Sequence, residues 1–153
     1  MKTKIALILK TNAHNWGLLF PRLVLGLIMI AHGAQKLFGW FGGYGLEGTA
    51  GFFADKLGMT PGIFWAALAG GGEFLGGALL LLGLATRFGA LLVGVTMLVA
   101  IITVHHGAFF NPAGMEFPLA LLGLAIAFVI NGGGALSIDS LLSHSYSANK
   151  QNL

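Results

Sequence analysis

The chain has 153 residues, of which 56% are hydrophobic and only 8% are charged, whereas a soluble domain carries about 25% charged residues; this composition excludes an ordinary water-soluble fold. The net charge of +3 arises from eight Lys and Arg residues against five Asp and Glu residues, and the basic residues are too scattered to indicate nucleic-acid binding. The chain contains no cysteine, which excludes disulfides and thiolate metal sites.

Four long apolar segments follow one another along the chain. At roughly 20 apolar residues per crossing, they predict four transmembrane helices, at residues 18–38, 62–84, 88–104 and 117–131. Each segment is continuously apolar rather than alternating, which favours spanning helices over strands. The sequence therefore predicts an all-α fold, a polytopic transmembrane four-helix bundle that forms a single membrane domain over residues 1–153.

The connections between these helices differ in length. The first, Gly39 to Pro61, is long and mixes apolar residues with Glu47, Asp55 and Lys56. This mixture predicts a short amphipathic helix that lies in the membrane interface. The second connection, around Arg87, is a tight turn.

The Lys and Arg residues indicate the orientation of the bundle. Six of them fall on one side of a four-crossing protein: Lys2, Lys4, Lys10, Arg22, Arg87 and Lys150. The opposite loops hold only Lys56, with Lys36 near the end of the first helix. The positive-inside rule then predicts a bacterial-type inner membrane protein whose tails, residues 1–16 and 139–153, are cytoplasmic and whose two long loops face outward.

Small residues on the second apolar segment indicate close helix packing. Gly72 and Gly76 fit the small-xxx-small pattern that lets helix backbones approach each other. Packing within the four-helix unit is the favoured interpretation, and a face for homo-oligomerisation is the alternative.

Polar residues at membrane depth are the candidate functional residues, because burying them is costly unless they are paired or solvated. His32, Gln35 and Lys36 are spaced i, i+3, i+4 on the first helix and therefore share one face. Glu73 lies on the second helix. At ~1.5 Å per residue, His32 and Glu73 both reach the middle of the membrane, so the sequence predicts that Glu73 pairs with His32 or Lys36.

Further polar residues fall at the outer ends of the third and fourth helices. His105 and His106 end the third helix, and Asn111 and Glu116 precede the fourth. They are predicted to line the mouth of a cavity that contains Lys36. Adjacent histidines point in different directions on a helix, so no metal site is predicted. Interfacial caps are the alternative interpretation of the histidines.

Three stretches of the chain carry a resemblance to the DoxX family of small four-helix membrane proteins. They are HGAQKLFGWFGGYGLEGTAGFF, GEFLGGALLLLGLATRFGAL and TVHHGAFFNPAGMEFPLALLGLA, in this order. The residues at the family's polar motif positions are His32, Lys36, Glu73, His105, Asn111 and Glu116.

The resemblance implies four transmembrane helices and membrane redox chemistry that involves quinones. The family includes relatives tied to thiosulfate oxidation by quinones, to membrane oxidoreductase complexes in oxidative-stress defence, and to catechol and quinone metabolism. We therefore expect a component of a quinone-linked membrane oxidoreductase, without a covalent cofactor, in which a quinone is the ligand. Catalytic roles are then expected for Glu73, His32 and Lys36, and ligand contacts are expected from Gln35, His105, His106, Asn111 and Glu116.

Two other functions are compatible with the same residues, and whether the chain is catalytic by itself is left open. The first is a non-catalytic membrane anchor or scaffold that recruits a soluble redox protein through its outer loops, residues 47–57 and 111–116. The second is a small-solute transporter with the intramembrane charges as its coupling site, although no inverted repeat favours it.

Overall fold

The computed structural model describes residues 11–110, 112 and 114–143. The regular elements of this part of the chain are helical, and we number the α-helices in chain order: α1 (Leu19–Phe38), α2 (Gly45–Gly51), α3 (Gly62–Leu82), α4 (Thr86–Thr103) and α5 (Glu116–Asn131). Asn111 and four of the basic residues used to orient the bundle lie outside the described residues: Lys2, Lys4, Lys10 and Lys150.

Three of the described helices are long and apolar enough to cross a membrane. They are α1 with its preceding 3-10 turn, α3 and α4. The fourth apolar helix, α5, has 16 residues and is therefore ~24 Å long, somewhat less than the ~30 Å hydrocarbon core of a bilayer. Together with the absence of strands in the described residues, these helices confirm the predicted all-α membrane bundle.

The long helices lie side by side in the order α1, α3, α4, α5. Neighbours in this order pack closely against each other, whereas α1 and α5 make few contacts. All four helices contribute to one apolar core, made of Leu25, Met29, Leu80, Ala90, Val93, Met97, Leu121, Ala125 and Phe128. Large hydrophobic side chains such as Leu68, Val95 and Ile126 are about half exposed on the outer faces, as expected of surfaces that face lipid.

Glycines bring α1 and α3 into backbone contact. A Cβ atom added at Gly77 would lie 2.7 Å from the Ile30 nitrogen and 2.8 Å from the Gly26 carbonyl oxygen. One added at Gly33 would lie 2.5 Å from the Phe74 nitrogen. Real side chains do not fit at such distances.

The predicted pair, Gly72 and Gly76, faces α4 instead. Added Cβ atoms at these two glycines would lie 2.9 Å from Cγ2 of Thr96 and 2.8 Å from the Gly89 carbonyl oxygen, respectively, in line with packing within the unit.

The predicted amphipathic helix of the first long loop is present as α2, which continues into a π-helical turn over Phe52–Lys56. Its inner face is buried against the bundle at Thr49 and Phe53. Its charged residues Glu47 and Asp55 are exposed. The segment therefore rests on α1 and α3 and covers part of one end of the bundle.

We call the end that carries loops 39–61 and 104–115 the long-loop end, and the opposite end, with residues 11–18, 83–85 and 132–143, the terminal end. At the terminal end the chain after α5 folds back onto the bundle, where Ser137, Asp139 and Ser140 are buried. The sequence predicts a C-terminal tail at residues 139–153. Its first residue, Asp139, belongs instead to this packed segment, where its carboxylate accepts hydrogen bonds.

Candidate functional site

An ion pair joins α1 to α3 near the long-loop end. The Nζ atom of Lys36 lies 2.6 Å from Oε2 of Glu73. The Glu73 side chain is only 6% exposed, whereas the Lys36 side chain is 30% exposed. Of the two partners predicted for Glu73, the structure therefore pairs it with Lys36.

Close helix packing determines where this pair forms. Gly70 lies one helical turn from Glu73, and a Cβ atom added at Gly70 would lie 3.1 Å from Cβ of Lys36. The lysine stem thus crosses α3 at a residue without a side chain and places its ammonium group beside the carboxylate. Thr49 of α2 donates a hydrogen bond of 3.3 Å to the Lys36 carbonyl oxygen, which attaches the first long loop to the same residue.

A cavity of about 100 Å³ lies beside the ion pair. Its polar lining comes from four of the predicted site residues, His32, Lys36, Glu73 and His105. The remaining lining residues are apolar or small: Met29, Met97, Ala100, Phe117, Pro118 and Leu121. All four long helices thus contribute to the cavity, and the polar groups occupy part of its wall.

His32 is oriented by an aromatic neighbour from α5. Its ring centroid lies 6.0 Å from that of Phe117, with the planes tilted by 49°. Phe117 is 41% exposed, so its ring stands partly at the wall of the cavity and partly at the outer surface of the bundle. This contact connects two helices that otherwise make few contacts with each other.

The other predicted ligand-binding residues are not among the described residues that line this cavity. Gln35 faces the first long loop, where its Nε2 donates to the Phe41 carbonyl oxygen at 3.4 Å. His106 is exposed. Glu116 begins α5, and its backbone nitrogen donates to the Phe109 carbonyl oxygen at 2.9 Å. Nothing is described for Asn111.

Sequence reasoning missed the apolar half of the site. Met97 and Leu121 are ordinary apolar residues within apolar helices, and no pattern separates them from residues that face lipid. Pro118 is buried in the first turn of α5, and it likewise has no sequence pattern that marks it as part of the site. Among residues 11–110, 112 and 114–143, no group of three or more His, Cys, Asp or Glu side chains is placed to hold a metal ion.

The arrangement suits a small polar head group that carries oxygen atoms. A lysine ammonium group donates hydrogen bonds only, an ionised carboxylate accepts them, and an imidazole does either. These groups stand opposite methionine, leucine and phenylalanine side chains, which favour an apolar ring or chain. Chemically, the site can hold a carbonyl or hydroxyl oxygen and pass a proton to it.

A second polar cluster, formed by Arg22 and Asp139, lies at the terminal end. Arg22 is 1% exposed, and its guanidinium group donates to the carbonyl oxygens of Leu80 at 3.0 Å, Leu81 at 3.3 Å and Leu136 at 2.9 Å. Two of these bonds add a donor at carbonyl groups in the last turn of α3, where Leu80 also accepts from the Gly83 nitrogen at 3.0 Å. The third joins α1 to the chain that follows α5. A charged residue inside the first apolar segment was the signal that could have revealed it.

Asp139 completes this terminal cluster. Its carboxylate accepts hydrogen bonds from the backbone nitrogens of Ala85 at 2.7 Å and Thr86 at 2.8 Å, and therefore caps the N-terminus of α4. Arg22 is close enough for the opposite charge of Asp139 to act on it. Together the two residues connect α1, α3, α4 and the chain that follows α5.

The fold defines a small helical membrane protein with an ion pair between two of its helices. The DoxX family profile matches residues 17–106, and the chain belongs to the DoxX family. It is 35% identical over 123 residues to a Bacillus subtilis (strain 168) protein named "Putative oxidoreductase CatD", covering 80% of this chain and 84% of that relative.

A second relative comes from Haemophilus influenzae (strain ATCC 51907 / DSM 11121 / KW20 / Rd). It is named "Uncharacterized protein" and is 31% identical over 128 residues, which cover 80% of this chain and 88% of the relative. No solved structure matches the chain.

Proposed function

We propose that the chain is the membrane component of a quinone-linked oxidoreductase and that a quinone head group binds beside Lys36 and Glu73. The observation that carries this proposal is the ion pair of 2.6 Å on the wall of a cavity that His32 and His105 also line. Ionisable groups at membrane depth are costly and are functional by default. The oxidoreductase name of the Bacillus relative supports the same class of reaction.

In this proposal the chain's own residues bind the quinone and supply protons. A quinone carbonyl oxygen accepts a hydrogen bond from the Lys36 ammonium group or from an imidazole N–H of His32 or His105. Reduction to the quinol takes up electrons and protons in equal number. The Lys36 ammonium group, which holds a proton in the ion pair, donates it to the reduced oxygen as a general acid. Glu73 relays the second proton, which its carboxylate first takes up from water, and a separate redox protein donates the two electrons.

The proposed location is a bacterial-type inner membrane with both termini in the cytoplasm. Arg22 and Arg87 lie at the terminal end of the bundle, whereas Lys56 lies in the first long loop. Lys36 also lies near the long-loop end, so the support comes from the whole sequence, in which six of the eight Lys and Arg residues lie before or at the start of the first apolar segment, in the short second connection, or after the last apolar segment. By the positive-inside rule, the proposed orientation has the long-loop end, with the ion pair, in the outer half of the membrane.

The test is equilibrium binding of quinones to the purified protein in lipid nanodiscs, measured by titration calorimetry. The probes are a benzoquinone and a naphthoquinone, each with a decyl tail. We expect saturable binding to the wild-type protein and a loss of at least about tenfold in affinity in Glu73→Gln, the loss of ~1.4 kcal/mol that removal of one charge-assisted hydrogen bond produces. Glu47→Gln is the matched control, since Glu47 is exposed on α2.

Equal quinone affinity in Glu73→Gln and wild type would refute the proposed role of the ion pair. Absence of quinone binding to the wild-type protein, combined with stoichiometric co-purification of a soluble redox protein, would instead support the anchor or scaffold function. Membrane insertion of each variant is checked by its monodisperse elution in detergent.

A further inference from the structure

The seam between α1 and α5 differs from the other helix contacts of the bundle. Glycines allow the backbone of α3 to pack directly against the backbones of α1 and α4. For example, a Cβ atom added at Gly76 would lie 2.8 Å from the Gly89 carbonyl oxygen. Between α1 and α5, by contrast, few residues are in contact. The side of the bundle between these two helices is therefore its most loosely packed side.

The cavity lies directly behind this seam. Its lining includes Met29 and His32 from α1, and Phe117 and Leu121 from α5. The two helices thus share the wall of the cavity although they make few contacts with each other.

Phe117 stands where this seam meets the surface. It is 41% exposed, and among the described residues its ring contact with His32 is the aromatic contact that joins α1 to α5. Side chains that face lipid exchange rotamers on nanosecond timescales, so this ring can move without displacing a helix. Phe117 is therefore the aromatic side chain that a ligand entering between α1 and α5 would have to displace.

The long-loop end offers less room on the side of α1 and α3. Gly43 packs so closely on Gln35 that an added Cβ atom would lie 2.4 Å from the Gln35 carbonyl oxygen. Thr49 is buried and bonded to the Lys36 carbonyl oxygen. The first long loop therefore covers the bundle next to the lysine.

We infer that the ligand reaches the cavity from the lipid, sideways between α1 and α5 past Phe117, and that it is an amphiphile with an oxygen-bearing head and a hydrocarbon tail. The head lies at the ion pair and the tail lies in the seam. The identity of the head rests on the proposed function, whereas the route rests on the packing of the helices alone.

The route is tested by thiol labelling, which suits a chain without cysteine. Ala100→Cys puts a single thiol on the cavity wall, and Val95→Cys puts one on the outer face of α4, where Val95 is 53% exposed. In proteoliposomes, each variant is treated with a maleimide that carries a dodecyl tail or with a charged, membrane-impermeant maleimide, and the labelled fraction is followed by mass spectrometry.

We expect the tailed reagent to label Ala100→Cys faster than the charged reagent does. Adding Phe117→Ala should accelerate the tailed reagent about tenfold, which corresponds to ~1.4 kcal/mol of barrier, and adding Phe117→Trp should slow it. Phe88→Ala is the control variant, since Phe88 is 48% exposed and lies at the N-terminal end of α4, whereas Ala100 lies near its C-terminal end. It should not change the labelling rate of either reagent. Labelling of Val95→Cys should not respond to Phe117.

Faster labelling of Ala100→Cys by the charged reagent, with no response to Phe117, would overturn the lateral route. Lack of labelling at Ala100→Cys and also at Met97→Cys, while Val95→Cys reacts, would overturn it as well, since the cavity would then be closed to the membrane. No quinone is used in these measurements. Failure of quinone binding and failure of the lateral route are therefore separate results.

Discussion

Two buried charge clusters connect α1 to α3, one at each end of the bundle, and they are built in different ways. At the terminal end, Arg22 is 1% exposed and donates to three backbone carbonyl oxygens. At the long-loop end, Lys36 is bound to another side chain, that of Glu73, and is 30% exposed. A cavity adjoins the second cluster.

This difference separates a structural cluster from a candidate site. Backbone carbonyl groups cannot change charge, so the hydrogen bonds of Arg22 serve to hold helix ends together. The Lys36–Glu73 pair consists of two groups that can each gain or lose a proton, beside space that a ligand can occupy. We therefore expect changes at the terminal cluster to affect folding and changes at the Lys36–Glu73 pair to affect binding.

The largest effect on stability is expected from Arg22→Met. Methionine fills much of the volume but removes the guanidinium donor from the carbonyl groups of Leu80, Leu81 and Leu136 and leaves Asp139 without its nearby positive charge. Removing one member of a buried charged cluster costs about 3–5 kcal/mol. The free energy of unfolding, measured by titrating mixed micelles with SDS, should fall by this amount.

The control for Arg22→Met is Lys56→Met, which removes the same charge type from an exposed residue of the π-helical turn. It should leave the free energy of unfolding nearly unchanged. Equal stabilities of the two variants would contradict the structural role of the terminal cluster.

Smaller changes in the free energy of unfolding are expected from two glycine variants, one on α1 and one on α3. The two changes should have opposite signs. In Gly33→Ala the new methyl group would meet the backbone of Phe74, and such overpacking costs about 1–3 kcal/mol. Gly71→Ala meets nothing within 4 Å, so it should stabilise α3 by about 0.5–1 kcal/mol.

The same unfolding titration measures both glycine variants. Gly33→Ala should also lower quinone affinity, because separating α1 from α3 moves Lys36 away from Glu73. If Gly33→Ala were as stable as Gly71→Ala, the backbone contact between α1 and α3 would not be required for the fold.

Asp139→Asn should cost about 1–3 kcal/mol, because each carboxylate oxygen accepts from one backbone nitrogen and the amide NH2 group leaves one of these buried donors unsatisfied. The asparagine side chain retains one oxygen atom for the nitrogens of Ala85 and Thr86 but loses the charge that favours a helix N-terminus. Thermal unfolding in detergent measures this change. Quinone affinity should match that of wild type, and a loss of affinity without a loss of stability would contradict the separation of the two clusters.

The smallest effect on stability is expected from Glu73→Gln, at most about 1 kcal/mol, because Lys36 is partly exposed and its ammonium group can extend toward water. Lys36→Met should cost more, since it leaves a carboxylate buried without a partner. The pair of variants is compared in one unfolding titration. A larger loss in Glu73→Gln than in Lys36→Met would show that the buried member of the pair had been assigned to the wrong residue.

Much of the fold could be predicted because lipid imposes a simple rule on sequence. Backbone groups in the membrane must bond within their own helix, so long apolar segments become helices, and the observed bounds of α1, α3, α4 and α5 differ from the predicted bounds by at most two residues. The helical spacing of His32 and Lys36, and the cost of burying Glu73, likewise predicted an ion pair between α1 and α3.

The remaining parts of the site depend on which helices touch. Gln35 has the same helical spacing as Lys36 but faces the first long loop, because Gly43 brings that loop against α1. The sequence assigned Arg22 to a membrane surface, yet the chain after α5 folds back and buries it. Neither arrangement leaves a periodic pattern.

By itself, the sequence determined that this protein is a helical membrane protein with a charge pair between its first two long helices, since composition, helix length and the cost of buried charge are properties of single segments. Only the tertiary structure decided that Lys36, rather than His32, pairs with Glu73, and that α1 and α5 stay apart in front of a cavity. The physical reason is that helix order and spacing arise from glycine contacts between segments distant in the chain, which bring the backbones of α1 and α3 and of α3 and α4 close together, whereas α1 and α5 make few contacts.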